Sequence, residues 1–285
     1  MAIYKIKTGA PLDAILLTVL QAVAEDAASA GIDCMLVGAT ARDLLLTHVF
    51  GIPARRATHD VDFAVAVEDW NQFEDLKTRL LAREGFDTSE RMKQRLYYDG
   101  EKKEAGYPID LVPFGGITQG TDEISWPPDM AVTMNVVGYG EVLAAAVSVE
   151  IAEGVNIRVA SLPGLAILKL VAWSDRGASN SKDAQDLYHL MANYAQAGNI
   201  DRLYGDEFPM LEAAEHDPDI AGACLLGKDV ALLANESTRL ALKKILEESY
   251  DALALEMVKS IRMMEDASER VETRLRNFVA GIDMR

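Results

Sequence analysis

The chain has 285 residues, of which 49% are hydrophobic and 26% charged. That is enough for one large domain or two ordinary ones with a real core, and it excludes a disordered or fibrous chain. The net charge of −17 disfavours indiscriminate wrapping of nucleic acid, although a local basic patch can still bring RNA to a site.

In the first thirty residues Leu12, Ile15, Leu16, Val19, Leu20 and Val23 recur at helical spacing, interrupted by Asp13, Gln21 and Glu25. This predicts an amphipathic helix rather than a signal peptide, and hence a cytoplasmic protein. No apolar run approaches the roughly 20 residues of a membrane-spanning helix, so no membrane is expected among its partners. "GIDCMLVGAT" then reads as a short buried strand ending at a glycine turn. It leads into a helix in which Ala41, Leu44, Leu45 and His48 share a face.

"HDVDFAVAV" is the second strand, and "EDWNQFEDLKTRLLAREG" a helix closed by Gly85. Two further strands follow, in "TSERMKQRLYYDGEKK" and "GYPIDLVPFGG", joined around Asp99-Gly100 and the loop "EKKEAG". Strand alternation would align Arg91, Lys93 and Arg95, most simply as a solvated face. "VLAAAVSVEIAEGVNIRVA" predicts two more strands with a turn near Gly154.

At Ser161 the pattern becomes helical, with Ser161 as N-cap and Pro163 in the first turn. A second helix, "SKDAQDLYHLMANYAQAG", is expected between a Ser181 cap and Gly198, and two or three longer ones follow. The expectation is an α+β protein. Residues 1–160 would form an α/β domain with a mixed sheet flanked by helices, and residues 161–285 a helical domain. Cys34 and Cys224 lack metal-ligand spacing, so no zinc site is expected, and Cys34, in an apolar strand, is expected to be a buried reduced thiol.

Three features carry chemistry. Gly38 allows close backbone approach at the start of a helix, where N–H groups receive phosphate well, and Thr40 adds a hydroxyl. Arg42 lies one turn on, placed to meet phosphate or to pair locally with Asp43. Asp60 and Asp62 point to one face of their strand, where like charges repel unless a cation lies between them. Asp110 opens another apolar strand. Three converging carboxylates would suit a hard divalent cation such as Mg²⁺, or a pair of such ions.

The order of these features resembles the nucleotidyltransferase superfamily typified by DNA polymerase β: strand, glycine turn, helix, an Asp-x-Asp strand, then one aspartate on a later strand. "LVGATARDLLL" is also similar to the tRNA nucleotidyltransferases. Downstream, "LAILKLVAWSDRGASNSKDAQDLYHLM" sets a lysine on one helix, then an Arg, then a basic-Asp-x-x-Asp start to the next. That pattern resembles the AbiEii/AbiGii-type toxins, nucleotidyltransferases of type IV toxin–antitoxin and abortive-infection systems. The likeness covers about residues 34–190.

The resemblance implies Mg²⁺-dependent transfer of a nucleoside monophosphate from a nucleoside triphosphate to an acceptor hydroxyl. Gly38 and Ala39 would take the phosphate-loop positions, and Asp60 and Asp62 would hold metal. Asp110 would be the third ligand and general base, Lys169 would meet the triphosphate, and Asp183 would be the further acidic residue. An antitoxin is the protein partner such a toxin would have. The chain departs from the pattern at Ala39, where a second Gly or Ser is usual, and at Thr58 and His59 before the aspartate pair. The acceptor stays open between RNA and a small molecule of the aminoglycoside type. A catalytically inactive member that binds nucleotide or a partner is the third reading.

Overall fold

The computed structural model describes residues 3–54, 58, 60–89, 91–98, 106–118 and 122–284. His59, the Asp99-Gly100 turn and residues 101–105 of the loop after it lie outside the described residues. The chain divides into two compact units, Met1–Ala160 and Ser161–Arg285.

The first unit is built on an eight-stranded mixed sheet. Its strands are β1 (Ile3–Lys5), β2 (Asp33–Val37), β3 (Val61–Val67), β4 (Phe86–Thr88), β5 (Arg95–Tyr98), β6 (Tyr107–Gly115), and, after the small β7–β8 hairpin (Glu123–Ser125 and Thr133–Asn135), β9 (Val147–Ala152) and β10 (Val155–Val159). Their spatial order is β1-β9-β10-β2-β3-β6-β5-β4. The pairs β1/β9, β10/β2 and β3/β6 are parallel and the rest antiparallel. Helix α1 (Ala14–Ser29) starts where Asp13 accepts from the N–H groups of Ile15 and Leu16, satisfying donors that a helix N-terminus otherwise leaves orphaned. It packs on β2, β10 and α3 (Trp70–Leu81), which is capped by Asp69.

Alternation on β3 explains the layering. Val61, Phe63, Val65 and Val67 are buried and share one face, while Asp62, Ala64 and Ala66 share the other. Helix α2 (Gly38–Asp43) follows β2 and runs on through a π-helical segment, Leu44–Phe50, that ends at Gly51 with φ +80°. The strand predicted to start at Val142 begins only at Val147, because Tyr139–Ala144 form a short helix, α4.

The second unit is all helical. Its elements are α5 (Leu162–Arg176), α6 (Lys182–Asn193), the short α7 (Ile200–Leu203) and α8 (Phe208–Ala213), then α9 (Pro218–Leu233), α10 (Glu236–Ile261) and α11 (Ala267–Asp283). Ser161 caps α5 as expected, accepting from the Gly164 N–H. Ser181 precedes α6 but caps no backbone donor; its hydroxyl accepts from the Gln185 side chain instead. Helices α9 and α11 cross in close contact because each presents glycine. A Cβ on Gly227 would overlap the Phe278 carbonyl, and one on Gly281 the Cys224 carbonyl.

Candidate active site

Four neighbouring strands bring the site of the first unit into one row. Val37 at the end of β2 pairs with Asp62 on β3, Asp62 with Asp110 on β6, and Asp110 with Arg95 on β5. Register partners on adjacent strands point to the same face, so Asp62 and Asp110 stand side by side as the sequence pattern implied.

Gly38 adopts φ +71°, a conformation that L side chains rarely take, and Asp62 is packed against it. A Cβ at Gly38 would overlap Asp62 Oδ2 and lie 2.9 Å from its Cγ. Glycine is therefore required here twice over, by backbone conformation and by the carboxylate that occupies the space. The Asp62 carboxylate lies toward the β2 edge of the row.

Asp110 lies toward the opposite edge. Arg95 Nε donates to Asp110 Oδ1 at 2.7 Å and Nη2 to Oδ2 at 2.6 Å, the two-pronged geometry of the stronger charge-assisted pairs. This bond with Asp110 raises the guanidinium pKa, making Arg95 still harder to deprotonate. Of the basic stripe expected from the sequence, only Arg95 is on a strand; Arg91 and Lys93 fall in the turn before β5. The Arg95 side chain faces a carboxylate rather than solvent, a pairing that only the strand order reveals.

Asp60 sits one residue before β3, and its carbonyl accepts from the Thr40 hydroxyl at 2.6 Å. Thr40 is 4% exposed, and its hydroxyl anchors the entry of the aspartate strand. Arg42 adopts the local pairing with Asp43 that is one of its two expected roles. It is 3% exposed, and Nε and Nη2 donate to Asp43 Oδ1 at 2.8 and 2.6 Å. The other Asp43 oxygen accepts from Thr58 at 2.5 Å. Arg42, Asp43 and Thr58 thus tie helix α2 to the segment leading into Asp60. Ala39, 8% exposed, opens the helix beside Gly38.

A cavity of about 220 Å³ adjoins this segment, lined by Leu16, Leu20, Leu44, Asp43, Thr58 and Tyr107 among others. Burial pushes the Tyr107 phenol above its ordinary pKa, and the negative charges of Asp13, Asp60 and Asp43 push it the same way. Tyr107 is therefore neutral at physiological pH.

Lys169 and Asp183 meet in the helical unit. Lys169 Nζ lies 3.2 Å from Asp183 Oδ1 and 2.7 Å from Asp186 Oδ2, while Arg176 Nη2 is 2.8 Å from Asp183 Oδ2. Asp183 is 1% exposed. The four charges link α5 to α6.

The donor set in the first unit fits a hard cation. Asp60, Asp62 and Asp110 offer only oxygen, and the absent side chain of Gly38 is what leaves room for the Asp62 carboxylate. Among the described residues, no three acidic, histidine or cysteine side chains are already gathered at ligating distance. The reason is visible: Asp62 leans to Gly38 and Asp110 to Arg95.

A glycine turn under an Asp-x-Asp strand, with a third aspartate in register beside it, is the layout of a nucleotidyltransferase. The family model "Nucleotidyl transferase AbiEii toxin, Type IV TA system" matches residues 21–277, and the chain belongs to that family. It is thus a transferase enzyme of the toxin–antitoxin class, and the nucleotidyltransferase family generally uses a divalent metal. No curated protein matches the chain.

Among solved structures, the chain is similar to an antigenic nucleotidyltransferase-like protein from Paracoccidioides brasiliensis, at 21% identity and a TM-score of 0.41, over 72% of this chain and 94% of that one. It is similar to the antibiotic-resistance factor ANT(2″)-Ia at 14% identity and a TM-score of 0.38, over 72% and 99%. A third is the Thermotoga maritima CCA-adding enzyme complexed with tRNA, at 15% identity and a TM-score of 0.27, over 98% and 83%. Among the described residues no helix is long and apolar enough to cross a membrane.

Proposed function

We propose that the protein transfers a nucleoside monophosphate from a nucleoside triphosphate to a hydroxyl of RNA, with Mg²⁺ as its divalent metal. The carrying observation is the carboxylate row, with Asp62 seated over Gly38 and Asp110 in register beside it. Asp60, Asp62 and Asp110 would hold the metal. When bound, Mg²⁺ neutralises phosphate charge and favours an acceptor alkoxide.

The acceptor oxygen forms a bond to the α-phosphorus, the bond from that phosphorus to the bridging oxygen of pyrophosphate breaks, and the acceptor proton passes to a carboxylate. Asp110 is the proposed recipient. The rest is positioning, which dominates catalysis of phosphoryl-type transfer. Gly38 and Ala39 leave room for the phosphates because neither carries a bulky side chain. Thr40, Arg42, Asp43 and Thr58 hold the segment that delivers Asp60. In the helical unit Asp183 fixes Lys169, the lysine proposed to serve the triphosphate. An antitoxin protein is the partner that family membership suggests.

The net charge of −17 favours one second reading, a cationic small molecule as acceptor. To separate the two, the protein is incubated with each α-³²P-labelled nucleoside triphosphate and Mg²⁺, with and without total bacterial RNA. Label in RNA supports the proposal. Turnover independent of RNA, with label on an added aminoglycoside, transfers the assignment to the second reading.

A further inference from the structure

The third carboxylate of the row is already engaged. Both oxygens of Asp110 receive hydrogen bonds from Arg95, and the pair is only 22% and 14% exposed on its two sides. Arg95 is held in place by strand pairing, since it stands opposite Asp110 in the β5/β6 ladder. Asp62, on the other flank, is drawn to Gly38. The guanidinium therefore occupies the position of a counter-ion to Asp110, on the side away from Asp62.

We infer that Arg95 is a latch which competes with the divalent cation for Asp110, so that metal binding exchanges a guanidinium for a dication at this carboxylate. The inference rests on the proposed metal-holding role of Asp60, Asp62 and Asp110. Two physical points support it. A cation fixed within hydrogen-bonding distance of a ligand opposes the arrival of a second cation at that ligand. Recruiting Asp110 also requires a bidentate, charge-assisted pair to open, and such pairs are the strongest hydrogen-bonded contacts a side chain makes. Arg95 is in this account a positioning residue. It sets when the third ligand becomes available and touches no reacting atom.

The exchange has a consequence for activation. An exposed, preassembled triad of carboxylates would load metal without substrate. A latched triad loads fully only when Arg95 gains another anion to pair with, and the triphosphate of a metal–nucleotide complex, which is net negative, is such an anion. Once released from Asp110, Arg95 is a cation one strand from the site.

The test measures metal binding in the absence of nucleotide. Mn²⁺ alone is titrated into the full chain and its free fraction read by electron paramagnetic resonance, for wild type, Arg95→Gln, Arg95→Lys and Arg95→Gln/Asp110→Asn. Thermal melts establish that each variant is folded, and Arg95→Lys serves if Arg95→Gln is not. The expected result is that Arg95→Gln binds Mn²⁺ roughly tenfold more tightly than wild type, the factor that opening one such charged hydrogen-bonded pair would cost. Arg95→Lys, which keeps the charge but loses the fork, falls between, and adding Asp110→Asn removes the gain. Equal or weaker Mn²⁺ binding by Arg95→Gln overturns the latch while leaving the metal reading intact. Absence of Mn²⁺ binding in every folded variant overturns the metal reading, and the latch with it.

Discussion

Substituting Gly38 by alanine isolates the geometric core of the site. The new Cβ overlaps Asp62 Oδ2 and comes within 2.9 Å of its Cγ and 3.1 Å of its Cβ. Two costs follow. Holding an alanine at φ +71° in the left-handed region costs about 1–2 kcal/mol. Turning the half-buried Asp62 side chain out of the way costs about 0.5–1.5 kcal/mol in rotamer strain. Together these give about 2–3 kcal/mol, or a fall in melting temperature of about 5–10 °C for a unit of this size.

The activity loss should be larger than that stability loss implies, because the displaced group is one of the paired carboxylates. A shift of about 1 Å in a reacting constellation costs on the order of 100-fold in rate. The assay is nucleotidyl transfer from labelled nucleoside triphosphate at a temperature well below the melt, so that unfolding does not contribute. An Asp62→Asn variant run beside it sets the floor. A Gly38→Ala variant with wild-type turnover and an unchanged melt would refute the reasoning, since it would mean that nothing important occupies that space.

Three further outcomes are expected. Gly281→Ala should destabilise the helical unit by about 3 kcal/mol, because its Cβ meets the Cys224 carbonyl and the Lys228 backbone nitrogen rather than flexible side chains; far-UV circular dichroism on heating reports it. Asp183→Asn should cost about 3 kcal/mol, since Asp183 is buried and its change strips a partner from half-buried Lys169, whereas Arg176→Ala, 49% exposed at the side chain, should cost under about 1 kcal/mol. Urea melts compare the two, and equal losses would contradict the burial argument. Cys34 supplies a pH dependence: burial chiefly, opposed by Arg158 and aided by Asp33, pushes its thiol up to about 11 from 9.0. The native state thus holds the proton more tightly, so this contribution is intact below pH 9 and is lost as pH rises from 9 through 11, by about 2–3 kcal/mol in all. The same shift should slow native-state alkylation of Cys34 at pH 8 about 100-fold relative to the unfolded chain.

The parts of the fold that could be read from sequence are those governed by local rules. The strand that starts just after Asp60 and carries Asp62 announces itself through Val61, Phe63, Val65 and Val67, and α5 through the Ser161 cap. The pairing of Asp62 with Asp110 was legible only as a requirement of the aspartate pattern, and the register bears out that neighbourhood. What stayed hidden depends on partners distant in the chain. Arg95 reads as one of three surface cations until strand order sets it opposite Asp110. Thr40 reads as a phosphate contact because a helix start invites that reading, whereas its hydroxyl bonds the Asp60 carbonyl 20 residues away, which period and propensity do not encode. The π-helical pitch after Asp43 and the short helix before β9 were equally invisible, since Leu44–Leu46 and Val142–Ala146 are continuous apolar runs that fit more than one kind of element.

The most direct test of the central claim is the transfer of α-³²P label by wild type and by Asp62→Asn, both folded by thermal melt, in Mg²⁺ and again in excess EDTA. Wild type is expected to transfer label in a way that EDTA abolishes, and Asp62→Asn to fall on the order of 10³-fold, the several kcal/mol that metal-assisted charge stabilisation supplies. Turnover by Asp62→Asn within tenfold of wild type, or transfer that survives EDTA, would contradict that claim.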